Sequence, residues 1–71
     1  MIPRQWTTLS SSNIKAIMQD EDGLNIEFQS GAIYHYAGVP DETAQGLLHA
    51  SSPGRYFQNF IKDDYTGERT A

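Results

Sequence analysis

Gly31-Ala32-Ile33-Tyr34-His35-Tyr36-Ala37-Gly38-Val39-Pro40 is the run at which this chain changes type. A glycine opens it and another closes it, and the residues between them alternate. Ala32, Tyr34 and Tyr36 fall on one face of an extended segment, with Ile33 and His35 on the other. The run therefore reads as a β-strand. Val39-Pro40 ends it, and Pro40-Asp41-Glu42 reads as a helix start, because proline in the first turn loses no needed donor and acidic residues suit the positive end of a helix.

Upstream, two further strands are predicted. Ile14 to Gln19 is the first, with Ile14, Ala16 and Met18 on one face and Lys15, Ile17 and Gln19 on the other. Asp20-Glu21-Asp22-Gly23 is a turn, and its Asp-Gly step is a strong hairpin signal. Leu24 to Gln29 alternates cleanly, placing Leu24, Ile26 and Phe28 inward and Asn25, Glu27 and Gln29 toward water. Ser30-Gly31 makes a second tight turn into the opening run. Before these strands, residues 1 to 9 read as extended, with Trp6 lying over one edge of the core. Ser10-Ser11-Ser12-Asn13 reads as a turn whose side chains bond nearby backbone groups.

Downstream, Ala44, Leu47 and Leu48 form the apolar stripe of a helix that ends around Ser51. Ser52-Pro53-Gly54 begins another, with Ser52 as N-cap and Pro53 at the first position. Tyr56, Phe57, Phe60, Ile61 and Tyr65 give this second helix a broad apolar face, Gly67 is its expected stop, and residues 67–71 form a polar tail that should fray. The fold class expected is α+β: a three-stranded antiparallel β-meander followed by two short helices packed on one face.

A chain of 71 residues is one domain, and a core this small leaves only a few kcal/mol of net stability. It has no cysteine, which removes disulfides and thiolate zinc sites. The formal charge is −4, with a pI near 4.8. The five basic residues, Arg4, Lys15, Arg55, Lys62 and Arg69, are scattered, so no broad basic footprint for nucleic acid is expected. Pro3, Arg4 and Gln5 have no apolar run behind them, and no segment approaches a membrane span. A cytoplasmic protein without a membrane partner is the expectation.

No residue pattern points to catalysis. His35 and His49 fall on different elements without ligand spacing, so no metal site and no cofactor is expected. His49 instead suits the negative end of the first helix. Asp20-Glu21-Asp22 lacks the spacing of a calcium loop, and there is no nucleophile elbow or phosphate-binding glycine loop. The best candidate site is Ser52, Gly54 and Arg55 at the second helix start, where free N–H groups and a guanidinium could receive an anion. Tyr34, Tyr36 and Tyr56 could stack on an attached base, and Lys62 could touch a phosphate. The structural alternatives stay open: tyrosines in the core, Gly54 allowing close packing, and Arg55 paired with Asp41 or Glu42.

Ser11-Ser12-Asn13-Ile14, Phe28, Gly31, Tyr34-His35-Tyr36 with Val39-Pro40, Ala50-Ser51-Ser52-Pro53-Gly54-Arg55-Tyr56-Phe57, Ile61 and Tyr65 together resemble the KTSC domain. That short module is named for the C-terminus of some lysyl-tRNA synthetases and also occurs as stand-alone bacterial and phage-type proteins. The resemblance covers roughly residues 10 to 66 and implies a compact α+β binding domain, with RNA binding suggested for the family. Three partners stay open: a nucleic-acid strand, a protein (as for a phage or host accessory factor), and a small nucleotide or anion. Whether the chain associates with itself is also open.

Overall fold

The structure is a computed structural model that describes residues 5–71, so the extended path expected for residues 1–4 lies outside them. Seven elements follow in order: β1 (Thr7–Thr8), β2 (Ile14–Gln19), β3 (Gly23–Phe28), β4 (Ile33–Ala37), α1 (Asp41–His49), α2 (Pro53–Phe60) and β5 (Gly67–Arg69). The strands form one antiparallel sheet in the order of the chain, β1-β2-β3-β4-β5. The expected α+β meander is its centre, β2 to β4. Two short strands extend it, one on each side.

The turns form for the reasons that the residues suggest. Ser11 Oγ accepts hydrogen bonds from the amides of Asn13 (3.1 Å) and Ile14 (3.2 Å). Asp20 Oδ1 accepts from the amides of Asp22 and Gly23, both at 2.9 Å, and closes the β2–β3 hairpin. Gly31, at φ 96°, turns β3 into β4 in a conformation that β-carbons disfavour.

One face of the sheet carries the helices. Ile14, Ile17, Leu24, Ile26, Leu47 and Ile61 are fully enclosed between the two layers, joined by Val39, Ala44, Tyr36 and Phe57. β3 presents Leu24 and Ile26 to this core as its alternation predicts. β2 does not follow its alternation. Ile14 pairs with Phe28 and Ala16 with Glu27, so Lys15 is an extra residue in a β-bulge. Beyond the bulge the faces exchange. Ile17 and Gln19, expected on the far side from Ile14, point with it into the helix-facing layer, while Ala16 and Met18 turn to the other face. Gln19 Nε2 donates to the Val39 carbonyl (3.0 Å) and ties β2 to the exit of β4.

Three further expectations are corrected. Trp6 does not cover the core edge but stays 43% exposed. Thr7 lies opposite Ile17 on the helix side, so strand alternation sends Trp6 and Thr8 to the other face. The second helix ends at Phe60 rather than near Gly67, with the Ile61 amide bonded to the Phe57 carbonyl at 3.0 Å. Gly67 is not a helix stop and residues 67–71 are not a frayed tail. Gly67 begins β5, and beyond that strand the Thr70 amide donates to the Ile33 carbonyl (2.8 Å) and the Ile33 amide to the Ala71 carbonyl (3.1 Å). The glycine is required here because a β-carbon would run into the ring of Tyr36, its partner across the ladder.

Candidate functional site

A groove of about 650 Å³ opens where the β3–β4 turn, the loop before β2, the start of α2 and β5 meet. Its floor is aromatic. Phe28 stands edge-on to Tyr34 (5.8 Å between ring centres) and to Phe57 (5.4 Å). Its rim is polar and uncharged except at one point: Ser12 and Asn13 before β2, Gln29 and Ser30 in the turn, Gln58 on α2, and the guanidinium of Arg69. Arg69 lies opposite Tyr34 in the ladder, which puts both on the same face of the sheet. Its Nε donates to the Ala71 carbonyl (3.0 Å), and among the described residues no partner takes the outer guanidinium nitrogens.

The walls are held together by backbone contacts. The Gln29 amide donates to the Asn13 carbonyl (2.9 Å) and Gln29 Nε2 to the Ser11 carbonyl (3.1 Å), which fixes the loop before β2 against the turn. Gly54 in the first turn of α2 abuts Asn13: a β-carbon there would stand 2.6 Å from Asn13 Nδ2. Pro53 occupies the first helical position as the sequence predicts. Ser52 takes the N-cap place, although its side chain makes no capping hydrogen bond.

The sequence candidates are divided by the fold. Tyr34 and Gly54 line the groove. Tyr36 is 6% exposed and belongs to the core; burial first, and then the neighbouring Tyr34, raise its phenol above the ordinary value of 10.0. Ser52, Arg55 and Tyr56 line a separate, shallow depression of about 350 Å³ with Asn59 and Phe60. Lys62 is exposed beyond the end of α2 and lines neither hollow. Arg55 pairs with neither Asp41 nor Glu42 and has no ion pair among the described residues. Reading the sequence missed Asn13, Gln58 and Arg69 as site residues. Gln58 follows Gly54 by one helical turn, a signal that was present. Arg69 carried none, because its stretch read as a tail.

The distribution of charge gives the groove its character. Asp20, Glu21 and Asp22 occupy the β2–β3 turn, at the far end of β3 from the groove. Asp41 and Glu42 open α1 just after Val39, and the Gly38 amide donates to the Asp22 carbonyl (2.7 Å), which joins these two acidic sites. Tyr65, directly after Asp63 and Asp64, comes back against Gly38. Three acidic turns thus share one end of the molecule. β3 spans six residues, so roughly 20 Å of strand separates that end from the groove, about twice the screening length at 0.1 M salt. Gly54, in the first turn of α2, lines the groove instead.

His35 Nε2 lies 3.5 Å from Asp20 Oδ1 on the sheet face away from the helices, and Asn25 Nδ2 donates to Asp20 Oδ2 (2.7 Å). Partial burial works to raise the Asp20 pKa, but the hydrogen bonds from Asn25, the Asp22 and Gly23 amides and His35 outweigh it and hold the carboxyl below its ordinary value. His49 closes the last turn of α1, as expected. Among the described residues no three His, Cys, Asp or Glu side chains gather as metal ligands, and no helix is long and apolar enough to cross a membrane.

A family model described as the KTSC domain matches residues 10–65. An uncharacterized protein of Stutzerimonas stutzeri is 41% identical over 59 residues, which cover 80% of this chain and 83% of that protein. The lysine–tRNA ligase of Nostoc punctiforme is 39% identical over 51 residues, 72% of this chain but 9% of the ligase. The chain therefore corresponds to a small segment of that enzyme. The crystal structure of a KTSC domain protein from Yersinia pestis superimposes with a TM-score of 0.88 at 33% identity, covering 94% of this chain and 97% of that one.

Proposed function

The chain belongs to the KTSC domain family, and we propose that it is a non-catalytic module that holds single-stranded RNA in the Tyr34–Arg69 groove. The observation that carries this reading is the separation of charge. A net charge of −4 argues against nucleic acid only if it is spread evenly. Here the acidic turns lie at one end, and the groove at the other offers an aromatic floor, amide-bearing rims and a guanidinium. Those groups match the needs of an unpaired nucleotide: a ring to stack on, donors and acceptors for a base edge, and a cation for phosphate. The matched segment in a lysine–tRNA ligase, a protein whose substrate is an RNA, supports the same choice.

Fluorescence anisotropy with short labelled single-stranded oligoribonucleotides tests the proposal. Binding at low salt is expected to weaken as salt is added, with a log–log slope of about −0.7 for each phosphate contacted. Arg69→Gln should reduce affinity several-fold and make that slope shallower. No anisotropy change for the wild-type chain at low salt, across mixed-sequence oligoribonucleotides, would refute the reading.

A further inference from the structure

The depression on the outer side of α2 is furnished with side chains that the groove leaves unused. Phe60 is 52% exposed, an uncommon position for a phenylalanine. Its ring lies 4.7 Å from that of Tyr56, tilted by 43°. The Tyr56 phenol rests against Gly46 of α1, where any β-carbon would displace it, so this ring is held in place before a ligand arrives. Arg55 is exposed and unpaired among the described residues. Asn59 completes the polar side of the depression.

The order of these residues around the helix links the two hollows. At 3.6 residues per turn, Gly54, Phe57 and Gln58 occupy the arc facing the groove. Arg55 stands roughly 60° beyond Gln58, then Asn59, then Tyr56 and Phe60. Arg55 is therefore on the ridge between the groove and the depression, with a stacking surface on either side.

Resting on the RNA reading of the groove, we infer that α2 carries a second base-stacking surface, Tyr56 with Phe60, and that Arg55 holds a phosphate of the linking nucleotides that cross the ridge between the two stacked bases. A strand leaving the groove crosses the ridge at Arg55 and lays a further base against the ring pair. The cation at the crossing and the continuity with the groove select a nucleotide over an apolar peptide. The ridge also lies at the α2 N-terminus, away from the acidic end. Because the ring pair lies across the helix from the groove, the strand needs more than two nucleotides to reach both, and a footprint of about four is the lower limit of site sizes for an OB-fold single-strand binder.

Comparing a dinucleotide with a hexanucleotide, both labelled single-stranded RNA, tests this. The hexanucleotide is expected to bind about tenfold more tightly, a gain within the range for one additional stacked base. Phe60→Ala and Arg55→Gln should each remove most of that gain while leaving the dinucleotide at its wild-type affinity. Arg55→Gln should also reduce the salt slope of the hexanucleotide by about 0.7. Both side chains are exposed, and unchanged circular dichroism and melting temperature will show that the variants are folded. Equal affinity for the two oligonucleotides in the wild type overturns the second surface and leaves the groove reading intact. So does a hexanucleotide affinity that neither substitution changes, or an equal loss for both lengths. Failure of the wild type to bind either oligonucleotide removes both proposals.

Discussion

The phenol of Tyr56 on α2 rests against Gly46 of α1, so closely that a β-carbon at Gly46 would occupy its place. The two helices meet through this pair, and the ring cannot stay where it is if Gly46 gains a side chain. Gly46→Ala adds about 1 kcal/mol of helix propensity but imposes an overpacking cost of about 1–3 kcal/mol. A net loss of about 1 kcal/mol is expected in urea denaturation. A gain in stability would show that the ring moves freely.

Gly23 presents a harder constraint. A β-carbon there would meet the Tyr36 carbonyl oxygen, a backbone atom of the adjacent strand, and no rotamer change relieves it. Gly23→Ala must separate the first residue of β3 from the last of β4, at the end of the ladder that joins the two central strands. The expected loss is about 3 kcal/mol, the upper part of the overpacking range and larger than that of Gly46→Ala. Equal losses for the two variants would contradict the distinction.

Two phenylalanines three residues apart on α2 should behave oppositely. Phe57 is buried against Tyr36 and Phe28, while Phe60 is half-exposed. Phe57→Ala is expected to cost about 3–5 kcal/mol, comparable to the whole stability of a domain this small. Its far-ultraviolet circular dichroism at room temperature should be that of an unfolded chain. Phe60→Ala should stay within about 0.5 kcal/mol of wild type.

The depressed Asp20 carboxyl makes part of the stability dependent on acid. The unfolded chain takes up its proton near the ordinary value of 3.8, and the folded chain only at lower pH. Between these two values acidification favours the unfolded state, so Asp20 contributes fully above about pH 5 and its contribution fades below. Asp20→Asn should therefore be less stable than wild type near neutrality. The difference should close as the pH falls through the folded value. Urea midpoints of both proteins from pH 6 to pH 2 give the comparison, and a constant difference would show that Asp20 is not the responsible group.

The meander and the helix starts were legible in the sequence because each rests on local chemistry. The Asp20 turn, the glycines around β4 and the proline at the head of α2 act over two or three residues. What was not legible depends on distant partners. Ile17 reads as an outward residue of a regular strand, and only the extra residue opposite Glu27 sends it inward. Gly67 and Arg69 read as polar tail because a three-residue strand carries no periodicity; the sheet edge at β4 is what orders them. The candidate site was half visible for the same reason. Gly54 announced itself through the helix start, while Arg69 acquires a place only when the far end of the chain is paired beside Tyr34.

Arg69 owes its position to β5, which among the described residues pairs with β4 alone and stands at the edge of the sheet. An edge strand opens at lower free energy than the centre of a sheet. The groove can therefore lose its cation while β2 to β4 and both helices remain folded. Two equilibria then coexist in one small domain, and a bound ligand acts on the local one. Its signature is a slower exchange with solvent of the Thr70 amide, whose acceptor is the Ile33 carbonyl, with no matching change at Ile26 in the middle of the sheet.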